Sequence, residues 1–132
     1  MEALKARIAA DAHARALGIE LLEMRPGFAR VAMTVKEDML NFQGMAHGGV
    51  VFTLADAAFG AASNSHGRAA VALNVSISFL KAVQCGARLV ATGQEENLTR
   101  RTGLYRLAVE DEEGNLVALA EGLVYRKDQE LA

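Results

Sequence analysis

From Val50 to Ala62 the sequence reads VVFTLADAAFGAA, and this run constrains the fold more than any other stretch. Nothing in it breaks a helix before Gly60, and its apolar side chains fall on every side of an axis with 3.6 residues per turn. A helix that is hydrophobic all round is normally buried. The chain has 132 residues, enough for one domain and one core, so this helix is expected at the centre of that core. The other segments must wrap it, and a second copy of the chain is a further source of cover. One residue breaks the pattern. Asp56 places a carboxylate in the middle of the apolar run, where an unpaired charge is costly or its pKa rises.

The flanking segments suit a wrapper made mostly of strands. Residues 2–17 are expected as one amphipathic helix, with Leu4, Ile8 and Ala12 at helical spacing and Gly18 as its stop. It is expected to pack on the outside, away from any chemistry. Ile19 to Met24 reads as a short strand turned by Pro26-Gly27. Ala29, Val31, Met33 and Val35 then alternate with Arg30, Ala32, Thr34 and Lys36, the pattern of a half-buried strand. A polar loop follows from Glu37 to His47, then the helix, closed by Asn64-Ser65-His66-Gly67. Val71, Leu73, Val75, Ile77 and Phe79 form the most regular alternation in the chain. Three further strands are expected: Ala87 to Glu96, Leu104 to Glu110 after a turn at Arg101-Thr102-Gly103, and Leu116 to Tyr125 after Glu112-Glu113-Gly114-Asn115. Short turns between these last three favour antiparallel neighbours. The fold class is therefore α+β, a curved antiparallel β-sheet wrapped around one central α-helix, with residues 1–132 as a single domain.

Composition narrows the function classes. The formal charge is −2 and the basic residues are scattered along the sequence, so no footprint for nucleic acid is expected. Cys85 is the single cysteine, which excludes an internal disulfide, and His13, His47 and His66 have no metal-ligand spacing. No metal and no redox cofactor are expected. No run approaches the roughly 20 apolar residues of a membrane span, so a cytoplasmic protein with no membrane partner is the expectation.

Two groups in the central stretch point to chemistry. The first turn of a helix presents unpaired N–H groups and the positive end of the macrodipole. Gly48 and Gly49 carry no side chain to block approach there, so a carbonyl oxygen could reach their amides as in an oxyanion hole. Asp56 lies eight residues beyond Gly48, roughly 12 Å along the axis. One helix cannot place both groups on one small reacting centre. If they cooperate, the amide comes from one chain and the carboxylate from another, and a two-fold dimer builds that site twice. Each group also has a bland reading. Asp56 can be a structural acid, His47 a helix cap, and Asn41 a turn residue bonded to its own backbone.

The pattern Asn41-x2-Gly44-x2-His47-Gly48-Gly49 followed by Leu54-Ala55-Asp56 resembles the signature of PaaI-type acyl-CoA thioesterases of the hotdog fold, and the resemblance extends over most of the chain. It implies the hotdog arrangement, an acyl-CoA substrate such as (hydroxy)phenylacetyl-CoA, and no cofactor. It also implies a homodimer with shared active sites, and further a homotetramer. In such enzymes the position of Gly48 supplies the oxyanion amide, and that of Asp56 the nucleophile or general base from the opposite subunit. The position of Asn41 holds the attacking water or the thioester, and that of His47 supports the loop or the substrate carbonyl. Gly49, Phe59 and Leu73 are expected at the substrate pocket with Phe42 and Phe79, and Arg100 and Arg101 are candidates for the coenzyme A phosphates. One departure is Gly60, where some related enzymes carry Ser or Thr one turn past the acid. Hydratases of the same fold, which use a free-standing His, and a non-catalytic acyl-CoA-binding module are the alternatives.

Overall fold

A computed structural model describes residues 1–131. Its centre is α3 (Gly48–Asn64), which starts at an N-cap supplied by His47. At its other end the Asn64 side chain folds back to donate to the Gly60 carbonyl at 2.9 Å, and Gly67 takes a φ of +82° that a residue with a side chain rarely adopts. Six strands lie close to the expected segments: β1 (Glu20–Arg25), β2 (Phe28–Thr34), β3 (Arg68–Phe79), β4 (Arg88–Leu98), β5 (Thr102–Glu110) and β6 (Leu116–Glu130). They form one sheet in the order β1-β2-β4-β5-β6-β3 with every neighbour antiparallel. A curved antiparallel sheet around one long helix is the hotdog arrangement expected above.

Strands of this sheet yield to the helix at glycines. A Cβ on Gly93 of β4 would stand 2.8 Å from the Ala58 carbonyl oxygen, and one on Gly122 of β6 would stand 2.6 Å from the Phe59 ring. These two positions let α3 lie close on the sheet. The core that results joins Leu54, Ala58 and Phe59 to Met33, Leu89, Leu107 and Val124. Tyr105 meets Phe59 edge to face with centroids 5.9 Å apart.

Three expectations need correction. Residues 2–17 form two helices, α1 (Glu2–Ala9) and α2 (Ala12–Ala16), because the Asp11 carboxylate caps a new start by accepting from the Ala14 amide at 2.9 Å. The turn before β5 lies earlier than Arg101-Thr102-Gly103. Thr102 already belongs to β5, and its amide donates to the Thr99 hydroxyl at 2.9 Å. Finally, the chain does not cover α3 all round. Val51, Leu54, Ala55, Ala58, Phe59 and Ala62 are buried, but Gly49, Asp56 and Gly60 lie exposed along the opposite side. One sheet reaches only one side of a helix, and the residues on the other side are too small to attract further cover from this chain. The outer strand β3 is left open as well, with Val71, Leu73 and Phe79 exposed.

Candidate active site

The loop before α3 is tied down residue by residue. The Ala46 amide donates to the Val83 carbonyl at 2.9 Å and the His47 amide to the Met39 carbonyl at 2.8 Å. The Asn41 side-chain oxygen accepts from the amides of Gln43 at 2.9 Å and Met45 at 3.2 Å, so this end of the side chain shapes the turn. That assignment leaves the Asn41 NH2 group without an acceptor among the described residues. Nδ1 of His47 accepts from the Gly49 amide at 2.9 Å, which puts the ring proton on Nε2. The Val50 amide bonds the His47 carbonyl at 2.9 Å.

These bonds separate the two glycines. Gly49, expected at the substrate, has its amide committed to His47. Among the described residues the Gly48 amide has no acceptor, and it stands at the first turn of α3 where the helix dipole is positive. Gly48 borders a groove of about 310 Å³ shared with Met45, Phe79, Leu80, Lys81 and Val83. The Phe79 ring passes close over it, since a Cβ on Gly48 would lie 3.5 Å from that ring.

Asp56 lies on the open side of α3, away from the Gly48 groove, and lines a separate recess of about 380 Å³ between α3 and the N-terminal helices. Among the described residues its carboxylate has neither a hydrogen bond nor an ion pair. The atoms around it displace enough water to raise its pKa above the ordinary aspartate value, the Asp11 carboxylate adds to that rise, and His13 opposes it. The N-terminal helices therefore do reach the candidate site, contrary to expectation. Asp11 and His13 are the residues that the sequence reading missed. The signal was Asp11 itself, a capping residue inside a supposed helix, which sets the new helix down beside α3. Gly60, one turn beyond Asp56, also lines the recess, and a side chain there would meet open space.

The other expected residues divide. Phe59 is not a pocket residue: it is 2% exposed and belongs to the core, packed against Tyr105 and Gly122. Its direction follows from the helix phase, which points it at the sheet while Asp56 points away. Leu73 is 57% exposed on β3, and Phe42 is 97% exposed in the loop before α3. Arg100 and Arg101 lie at the β4–β5 turn, beside the end of β6, where Arg101 pairs with Asp128 at 2.8 Å. That end of the sheet is remote from the groove at Gly48. Lys81, in that groove, is ion-paired with Asp111. At the C-terminal end of α3, His66 and the Tyr105 hydroxyl both bond Glu95 Oε1, at 2.7 and 2.8 Å. No group of His, Cys, Asp and Glu suited to a metal ion occurs among the described residues. No described helix is long and apolar enough to cross a membrane.

This arrangement has counterparts. Residues 43–118 match the sequence profile of the thioesterase superfamily. The chain is 44% identical to the acyl-coenzyme A thioesterase PaaI of Escherichia coli over 116 residues, which are 88% of this chain and 83% of that one. The structure of the E. coli PaaI protein, from the phenylacetic acid degradation operon, superposes with a TM-score of 0.93 at 41% identity, over 97% of this chain and 93% of that one. A Streptococcus pneumoniae thioesterase protein solved with coenzyme A superposes with a TM-score of 0.88 at 29% identity, over 96% of this chain and 98% of that one.

Proposed function

The chain belongs to the thioesterase superfamily, and from this membership we infer a thioester hydrolase that releases coenzyme A and a free acid from acyl-CoA. The observation that carries the reading to particular atoms is the pairing of an uncommitted amide at Gly48 with an unpaired carboxylate at Asp56. The two lie on one helix, eight residues and roughly 12 Å apart, in separate recesses. We propose that they meet across a homodimer, the Gly48 amide of one chain facing Asp56 of the other. The open edge of β3, with Val71, Leu73 and Phe79 exposed, favours antiparallel pairing with the same strand of a second copy.

In this site the thioester carbonyl oxygen accepts from the Gly48 amide, and the α3 dipole favours the negative charge that develops there. Asp56 acts at the carbonyl carbon in one of two ways. As a general base it takes a proton from water while the water oxygen bonds to carbon. As a nucleophile it forms an acyl anhydride, which water then cleaves. On either route the C–S bond breaks, sulfur leaves as thiolate and gains a proton, and Asp56 ends as it began. The NH2 group of Asn41 and the Nε2–H of His47 are donors available to the water or the carbonyl. Gly60 offers no hydroxyl, so the water is not held from that turn. An aryl acyl group, as in phenylacetyl-CoA, suits the kinship with the E. coli PaaI protein and the apolar walls that Leu4, Ile8 and Ala57 give the recess beside Asp56.

A mixing experiment tests the shared site. Gly48→Pro removes the amide hydrogen at a helix position that tolerates proline, and His47 already has the extended backbone that a following proline requires. Gly48→Pro and Asp56→Asn are each expected to lower kcat by a factor of about 10²–10³. Unfolded together and refolded as a mixture, they should recover about a quarter of wild-type activity, because half the dimers then hold one intact site. No recovery despite proven heterodimers would place both groups in one chain's site. Return of intact acyl-CoA by the wild type after prolonged incubation would favour a non-catalytic acyl-CoA-binding module.

A further inference from the structure

The recess beside Asp56 carries more polar chemistry than the mechanism above has used. Arg7, Asp11 and His13 line it with Asp56, and these are its charged and titratable groups. His13 arrives there through a local rule. Asp11 caps α2, and α2 packs against α3, so the ring two residues after the cap stands on the wall of the recess. Other polar side chains of this recess are committed. Thr53 Oγ1 donates to the Gly49 carbonyl and Asn64 Nδ2 to the Gly60 carbonyl, both at 2.9 Å. Asn64 Oδ1 and Asp11 Oδ2 accept from the Ala70 and Ala14 amides, again at 2.9 Å. Arg7 and His13, both exposed, make no side-chain hydrogen bond among the described residues. The two differ in what they offer, since a guanidinium only donates whereas imidazole can present an acceptor nitrogen. Burial raises the pKa of Asp56, and of its charged neighbours Asp11 adds to the rise while His13 opposes it, so His13 stands within electrostatic reach of the carboxylate. Gly60, one turn beyond Asp56 on the same recess, adjoins open space.

We propose that His13 holds the hydrolytic water against Asp56, a proposal that rests on the hydrolase reading above. A water that attacks carbon must turn a lone pair to it, which leaves two hydrogens to be accepted elsewhere. The Asp56 carboxylate takes one of them. The Gly48 amide, the Asn41 NH2 group and the Nε2–H of His47 are donors and cannot take the second. The unbonded ring nitrogen of His13 can. In the step that follows, the water oxygen bonds to the carbonyl carbon, Asp56 takes the first proton and the C–S bond breaks. The sulfur ends with that proton, and the second stays on the new oxygen until the acid product ionises. His13 touches the reacting water and is itself unchanged. One chain thus supplies Asp56 and His13 together, across the dimer from the Gly48 amide.

Three variants test this on phenylacetyl-CoA. His13→Ala should lower kcat by a factor of about 10–10². KM and the melting temperature should stay at their wild-type values, because the side chain is exposed and makes no bond among the described residues. His13→Gln, whose amide oxygen restores an acceptor, should recover most of the loss. Adding Gly60→Ser to His13→Ala should also recover activity, since a hydroxyl there enters open space on the same recess. A residue that merely held α2 in place could not be replaced by a hydroxyl on α3. Wild-type kcat in His13→Ala, or a loss confined to KM, overturns the assignment and leaves the hydrolase reading standing. A loss in kcat that neither the glutamine nor the serine repairs overturns it as well. A wild type that binds the thioester and never releases coenzyme A sinks the hydrolase reading, and the water site with it.

Discussion

Asp56 combines exposure in the single chain with a pKa raised above the ordinary aspartate value, first by desolvation and then by Asp11. Only its ionised form can attack or take a proton, so the acidic limb of kcat/KM should lie at higher pH than for an unperturbed aspartate. An acidic limb in the ordinary carboxylate range would contradict this. The same shift sets a sign for stability. The folded chain binds the Asp56 proton more tightly than the unfolded chain, so the residue's contribution is fully present at low pH and is lost as pH rises through the raised pKa. Asp56→Asn should therefore unfold at the same temperature as wild type or higher at pH 8, while nearly all activity disappears, and calorimetry alongside thiol release reads both. Glu95 shows the opposite case. Burial pushes its pKa up, but hydrogen bonds from His66 and Tyr105 more than offset this and leave it below the usual value. That contribution is present above the unfolded pKa of glutamate and fades as pH falls through the lowered one. Glu95→Gln should lower stability by about 1–3 kcal/mol near neutrality, with the difference from wild type narrowing in strong acid.

At the scale of elements, the position of α3 on the sheet depends on two places where no side chain intervenes. Gly93 is the more severe, because a Cβ there would press on the backbone oxygen of Ala58 and on the Ala62 methyl at 3.2 Å. Backbone inside a helix cannot swing aside as a side-chain tip can. Gly93→Ala should cost about 1–3 kcal/mol by overpacking, visible as a lower urea midpoint with an unchanged slope. A variant as stable as wild type would mean that the helix can lift from β4 without penalty. The start of α3 is fixed as firmly as its face. The His47 ring accepts from the Gly49 amide and the His47 carbonyl from the Val50 amide, which among the described residues leaves Gly48 as the unengaged donor of this turn. The motif HGG thus divides its labour: one residue caps, one is capped, and one remains free.

The whole molecule is a half-covered helix and a sheet with one apolar edge. Leu73 at 57% exposure and Phe79 at 54% stand on that edge with no covering helix, and edges of this kind invite pairing with another chain. If two β3 edges pair as proposed, Leu73→Lys should give a monomer in light scattering and abolish hydrolysis although Gly48 and Asp56 are untouched. A monomer that retains full activity would return the site to a single chain. The mass of the wild type in the same measurement tells a monomer, a dimer and a tetramer apart.

The apolar run from Val50 to Ala62 determined by itself that one helix would sit at the centre, because no other element could bury it. Two period-two alternations and the apolar runs between turn residues likewise marked the strands, to within a few residues at most ends. Local chemistry singled out Gly48 and Asp56 as candidates, and the family resemblance of the motif added Asn41 and His47. Direction was not legible. Phe59 and Asp56 are three residues apart in one apolar run, and only the placement of the sheet decided that the first faces the core and the second faces out. Long-range neighbours were equally hidden. Asp11 and His13 approach Asp56, and Arg68 meets Arg101 and Asp128, through a strand order that no local pattern encodes. Local pattern reports what each segment must bury; which segments then share a surface depends on how the sheet closes around the helix.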